Sequence, residues 1–223
     1  IKELIGNLGS KCMIAACSSS NICIPSGEII LDFVYQMEDG PEEIIKINES
    51  ILKNGIYEGL KMIEAGADIL CNTCDIAFNT GTFFTPEQLE RFVYPYFMRW
   101  NNTFVKENVY TVLHTDGNVE KVIDHIMDCG FHALQCVDPI AGMDIVKLKK
   151  KTYGRMTLIG NMNVSTLQLG TKEEIEKQAC EILKGCKEGG GFVYGSCNAV
   201  FKGIPPENYL YMLECRKKYG MYW

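Results

Sequence analysis

The stretch Leu113-His114-Thr115-Asp116-Gly117-Asn118 sets an imidazole and a carboxylate two residues apart, just before a glycine. On extended backbone, side chains two apart share a face, so His114 and Asp116 could share a metal ion or a proton. The same residues also suit a plain turn: Asp116-Gly117 as a tight reversal, Asn118 as a helix cap and His114 as a hydrogen-bonded core histidine. Residue pattern leaves both readings open. Cys197 is a possible third ligand, because thiolate and imidazole are what zinc prefers and ligands distant in sequence can converge. Its plain alternative is a small buried hydrophobe. Cys71 and Cys74 form a Cys-x-x-Cys, but on a strand their thiols face opposite ways and no second such pair follows, which argues against a zinc knuckle. A serine hydrolase is not indicated either, since Ser196 precedes a cysteine and lacks the glycine elbow of a nucleophile turn.

Such groups need a scaffold to bring them together. Short apolar or β-branched runs alternate with segments of helical period, the mark of βα units around a parallel sheet. The pattern predicts strands at 12–17, 68–73, 109–114, 132–137, 156–161 and 191–196, each followed by a helix. It predicts the longest helix over 41–66, a helix from Thr85-Pro86 to about Lys106, a capping box at Thr171 opening a helix that ends near Gly185, and a last helix opened by Pro205-Pro206. No linker interrupts this rhythm, so one domain spanning 1–223 is expected. A doubly wound sheet would call for a glycine-rich phosphate turn after an early strand. "CSSSNICIPSG" is not one, and Gly189-Gly190-Gly191 precedes a strand instead of opening a helix. The expected architecture is therefore an α/β fold of (β/α)8 TIM-barrel type, with about six units in this chain and the first two missing.

In such a barrel, function sits at the C-terminal ends of the strands. Here those ends read "CNTCD", "LHTDGN", "QCVDP", "IGNMN" and "GSCN". They nominate His114, Asp116 and Asp75 as catalytic groups, and Asn72, Gln135, Asp138, Asn161, Asn163 and Asn198 as substrate-binding ones. The remaining histidines, His125 and His132, read as structural or exposed. Part of this polarity is ordinary turn and cap chemistry, which βα loops require in any case.

Composition narrows the partners. With 47% hydrophobic residues and 22% charged, the chain has no apolar run near the ~20 residues that span a bilayer, so no membrane segment is expected. A formal charge of -6 and no basic stripe among aromatics argue against nucleic acid. The 11 cysteines are odd in number and mostly fall inside apolar patterns, so free thiols in a reducing cytoplasm are expected rather than a disulfide framework. The N-terminal "IKELIGNLGS" has no secretory pattern and no initiator methionine, and is read as the start of a piece of a longer chain. Unpaired sheet edges at 12–17 and 191–196 would invite pairing with another copy, hence a possible homo-oligomer.

Taken together, "CDIAFNTGTFFTPEQLERFVYPYF", "LHTDGN", "DPIAGMDIVKLKKKTYG", "LIGNMNVSTLQLGTKEEI" and "GGGFVYGSCNAVFKGIPPENYLYMLE" resemble the uroporphyrinogen decarboxylase superfamily over essentially the whole chain. That superfamily includes the decarboxylase and the corrinoid-dependent methyltransferases, and the resemblance implies a (β/α)8 barrel whose first units lie outside this chain. The methyltransferases bind zinc through a His-x-Cys pair after one strand and a cysteine after the last. Carried over, this implies His114, Asp116 and Cys197 as metal ligands, with Asp116 standing where the family has cysteine. The decarboxylases carry N-terminal arginines and a Gly-His-Gly type motif where this chain has "GSCN". The resemblance thus implies, first, a methyltransferase using zinc and a corrinoid carried by a partner protein to methylate a small acceptor. A uroporphyrinogen decarboxylase comes second, and a non-catalytic small-molecule-binding member third.

Overall fold

A computed structural model describes residues 1–9, 11–25 and 28–222, so Ser10 and the Ser26-Gly27 end of "CSSSNICIPSG" lie outside the described residues. In chain order the strands are β1 (Ala15–Ser18), β2 (Ile69–Thr73), the short hairpin strands β3 (Ala77–Phe78) and β4 (Gly81–Thr82), β5 (Tyr110–His114), β6 (Ala133–Gln135), β7 (Thr157–Met162) and β8 (Phe192–Ser196). Six of them form one sheet in the order β1-β2-β5-β6-β7-β8, every neighbouring pair parallel. Strands thus neighbour each other in the order in which they leave the chain, with helical segments in every crossover, as right-handed βα connections favour. The first strand starts later than its apolar run predicts. Ile14 gives its N–H to the Asp68 carboxylate, 2.8 Å away, so the ladder opens only at Ala15.

Helices cover one face of the sheet. Leu113, Leu134 and Leu158 are register partners on successive strands and all are fully buried against that layer. The longest helix, Pro41–Glu64, lies close to the end of β1 and to the Tyr94–Val105 helix through two glycines four residues apart. A Cβ on Gly55 would meet the Ser19 carbonyl at 1.8 Å, and one on Gly59 the Phe104 ring at 2.3 Å. The helix predicted from Thr85 to Lys106 is two helices, Pro86–Phe92 and Tyr94–Val105, broken at Val93 (φ −122°, ψ −65°). Pro95 accounts for the break, since a proline lacks the N–H of a continuing helix and its ring clashes with the carbonyl four residues back. Thr85 and Thr171 both close capping boxes, with Gln88 and Glu174.

The opposite face of the sheet is open: Tyr110 is 56% exposed and Val193 is 51% exposed. Among the described residues no helix is long and apolar enough to cross a membrane. His125 stacks on Tyr94 at 5.5 Å, and the His132 Nδ1 meets the Thr111 hydroxyl at 2.9 Å, so both sit in structural contacts.

Candidate functional site

Strand register builds the site. Thr73, His114 and Gln135 are partners on β2, β5 and β6, all at the C-terminal ends of their strands. The chain then leaves β2 through Cys74 to Asp75 and leaves β5 through Thr115 to Asp116. Period-two alternation holds just past β5: Thr115 is buried and its hydroxyl accepts the Ile76 N–H at 3.1 Å, while His114 and Asp116 point the other way.

The two nitrogens of His114 have different surroundings. Nδ1 is hydrogen-bonded to the Gln135 Oε1, and Nε2 stands 3.9 Å from Asp75 Oδ1 and 3.8 Å from Asp116 Oδ1. Those last two gaps are too long for hydrogen bonds. The carboxylates are themselves anchored: Asp75 Oδ1 accepts the Asp116 N–H at 2.8 Å, and Asp116 Oδ2 accepts Asn198 Nδ2 at 2.9 Å. Gln135 is fixed in turn by donating Nε2 to the Cys197 carbonyl at 3.1 Å. Asp116 Oδ1 is buried and has no hydrogen-bond partner among the described residues. A buried, unpartnered carboxylate oxygen is costly unless something positive or donating meets it.

Asp75, His114 and Asp116 each offer a ligand atom, all within 4.8 Å of one another, the one such group of three among the described residues. Imidazole nitrogen plus two carboxylate oxygens is an acceptable donor set for zinc, harder than one containing thiolate. The set differs from the expected one, because Cys197 is not part of the group. It is 1% exposed and its thiol shares a hydrogen bond with Cys136. Cys136 donates, which holds Cys197 below the ordinary thiol value, whereas Cys136 is pushed far above it by that bond, by burial and by the neighbouring Asp116 carboxylate.

The other nominated residues divide. Gln135 and Asn198 join the cluster by the bonds above. Asn72 does not: it is fully buried one residue out of step with the His114 layer, pairs in register with Leu113, and donates to the Ser20 hydroxyl at 2.8 Å. Asn161 is 3% exposed and ties two strand ends together through the Val137 carbonyl at 3.0 Å. Asp138 accepts the Ile140 N–H at 2.9 Å as a turn former, and Asn163 accepts the Ser165 N–H at 2.8 Å as a helix cap. The turn reading of "LHTDGN" also holds in part. Gly117 sits at φ +85°, where a Cβ would strike the Ala77 carbonyl at 2.5 Å, and Asn118 Oδ1 accepts the Glu120 N–H at 3.1 Å. The stretch that makes the turn also contributes His114 and Asp116 to the cluster.

Sequence reasoning missed Cys136, taking it for one more thiol in an apolar strand. Cys136 and Val137 adopt φ of +121° and +49°, a region that non-glycine residues rarely occupy and that gathers at functional sites. Neither residue type signals it.

Comparison with known proteins gives three kinds of likeness. The family model "Uroporphyrinogen decarboxylase (URO-D)" matches residues 23–219. Methylcobamide:CoM methyltransferase MtaA of Methanosarcina barkeri is 28% identical over 159 residues, 71% of this chain and 44% of that protein. Uroporphyrinogen decarboxylase of Geotalea daltonii is 24% identical over 182 residues, 80% of this chain and 50% of that protein. A solved methyltransferase from Methanosarcina mazei superposes with a TM-score of 0.79 at 22% identity, over 99% of this chain and 63% of that one, which establishes likeness of fold. The chain spans about half the length of the curated relatives it matches.

Proposed function

The chain belongs to the uroporphyrinogen decarboxylase family, and from that premise we propose that it is part of a corrinoid-dependent methyltransferase moving a methyl group between a corrinoid carried by a partner protein and a small thiol acceptor. The architecture we propose is a (β/α)8 barrel to which this chain contributes the six sequential strands. The open sheet face bearing Tyr110 and Val193 supports it, because parallel sheets are ordinarily covered on both faces.

One observation carries the functional reading: Asp75, His114 and Asp116 converge at the strand ends with Asp116 Oδ1 buried and unpartnered, which suits a bound divalent cation. His114, Asp116 and Asp75 would hold the metal, in place of the His114, Asp116 and Cys197 set that the resemblance implied. Zinc, when bound, supplies Lewis acidity that lowers the proton affinity of a thiol held against it. The remaining work falls to the chain. Gln135 holds Nδ1 of His114 and so leaves Nε2 facing the two carboxylates. The Asp116 N–H and the Asn198 amide fix one oxygen of each carboxylate, so neither must reorganise when a ligand arrives. Asp75, the most exposed of the three with 46% of its side chain open, marks the side of the cluster from which an acceptor would enter.

A decarboxylase is the second reading, favoured by the Geotalea daltonii relative. It fits the cluster less well, because two carboxylates beside His114 suit a bound cation better than they suit a polycarboxylate substrate. The test is to assay the full-length protein, zinc-supplemented, for demethylation of methylcobalamin in the presence of a small thiol and, in parallel, for carbon dioxide release from uroporphyrinogen. Demethylation alone supports the first reading, and carbon dioxide release alone replaces it with the second.

A further inference from the structure

Two other groups of thiols meet near the strand ends besides Cys136 and Cys197, and they are not equivalent. Cys17 and Cys71 are register partners on β1 and β2. Parallel strands hold partners about 4.8 Å apart, whereas a disulfide wants its Cβ atoms at about 3.8 Å, so the ladder opposes a bond there. Cys136 and Cys197, 0% and 1% exposed, are sealed from solvent. Cys23 and Cys74 combine the two properties the others lack.

Their sulfurs are crossed over one another. The Cys23 thiol donates to the Thr73 carbonyl at 3.3 Å and the Cys74 thiol to the Ile22 carbonyl at 3.6 Å, so each sulfur reaches the residue before the other. The backbones around them are clamped as well: Ile24 N–H donates to the Asp75 carbonyl at 3.1 Å, and Asn21 Nδ2 to the Cys74 sulfur at 3.4 Å. Cys74 is fully buried, while Cys23 is half-buried and within reach of a small oxidant. An accessible thiol with a buried one against it is the arrangement of an attacking and a resolving cysteine.

We propose that Cys23 and Cys74 are a site of reversible disulfide formation by peroxide-class oxidants, set against the residue that contributes the Asp75 carboxylate. The Cys23 sulfur, having released its proton, attacks a peroxide oxygen. The O–O bond breaks, leaving Cys23 as a sulfenic acid and releasing one water. The Cys74 sulfur then attacks the Cys23 sulfur, the S–O bond breaks, and the departing hydroxide takes the Cys74 proton as a second water. Two thiols and one hydrogen peroxide become one disulfide and two waters, and a dithiol reductant reverses the exchange. Closing the bond brings the sulfurs to about 2.05 Å and locks residues 22–24 onto the segment that ends in Asp75. The site does not depend on the methyltransferase reading.

The test is peptide mapping of the full-length protein after treatment with one equivalent of hydrogen peroxide, alkylation and digestion without reductant. The expected result is a linked peptide pair containing Cys23 and Cys74, two free thiols lost per chain, and full recovery with dithiothreitol. In Cys74→Ser, Cys23 should be trapped as a sulfenic acid by dimedone. In Cys23→Ser, which changes only a half-buried position, Cys74 should stay reduced at the same dose. If Cys74→Ser does not fold, the wild-type map and Cys23→Ser decide the matter. Linkage of Cys17 to Cys71 or of Cys136 to Cys197 in its place, or quantitative alkylation of Cys74 after oxidation, would overturn the proposal.

Discussion

Gln135 stands opposite His114 in the β5–β6 register and holds the imidazole Nδ1 through its amide oxygen. A ligating histidine is oriented by the partner on its other nitrogen, and loss of that partner typically costs about 10–100-fold in metal affinity. Gln135→Leu should therefore weaken zinc binding by about that factor while leaving the far-UV circular dichroism unchanged. Competition with a chromogenic chelator measures it, and affinity within twofold of wild type would show that Gln135 does not position the ligand.

Gly55 tests how the longest helix sits on the sheet. Its missing Cβ would lie 1.8 Å from the Ser19 carbonyl, a backbone atom that cannot swing aside. Gly55→Ala should cost about 1–3 kcal/mol, as overpacking does, despite alanine's better helix propensity. Urea unfolding reads this directly; an unchanged or higher midpoint would mean that the helix does not approach β1 as closely as described.

The last two long helices carry a pH-sensitive contact. Glu176 accepts from Tyr211 at 2.7 Å and Tyr219 at 2.6 Å and pairs with Lys218, which together hold its carboxyl down from an ordinary 4.5 to about 2. The folded value lies below the unfolded one, so the stabilisation is complete above about pH 4.5 and is lost as pH falls towards 2. Melting temperature should fall across that window in wild type and fall less in Glu176→Gln. Parallel curves for the two proteins would remove Glu176 from the account.

The sheet was largely legible because hydrophobic period reports it directly. Each of the six sheet strands overlaps the run that predicted it; the β1 start moved where the Asp68 side chain claims the Ile14 N–H, and β6 ends at Gln135 instead of Val137, where Cys136 and Val137 take positive φ. Helix continuity was less legible: the break at Val93 depends on Pro95, whose place two residues into a new helix is compatible with a start as well as a kink. At the site, the two-residue spacing of His114 and Asp116 carried the correct shared face, since alternation is a local property. What could not be read is which distant groups fill the space between strand ends. Asp75 rather than Cys197 lies beside His114 because the β2 exit and the β5 exit are register neighbours, and Cys197 is turned onto Cys136. Asn72 failed for the opposite reason: a polar residue at a strand end is on one face or the other, and this one faces Ser20.

The central claim, that Asp75, His114 and Asp116 form a metal centre, is tested most directly by elemental analysis of the full-length protein after zinc supplementation and gel filtration, alongside His114→Ala. The account predicts about one zinc per chain in wild type, a single site of three protein ligands with its fourth position left open, and loss of that metal in His114→Ala without loss of fold. Wild-type protein free of zinc, or a His114→Ala variant that keeps its full complement, would contradict it.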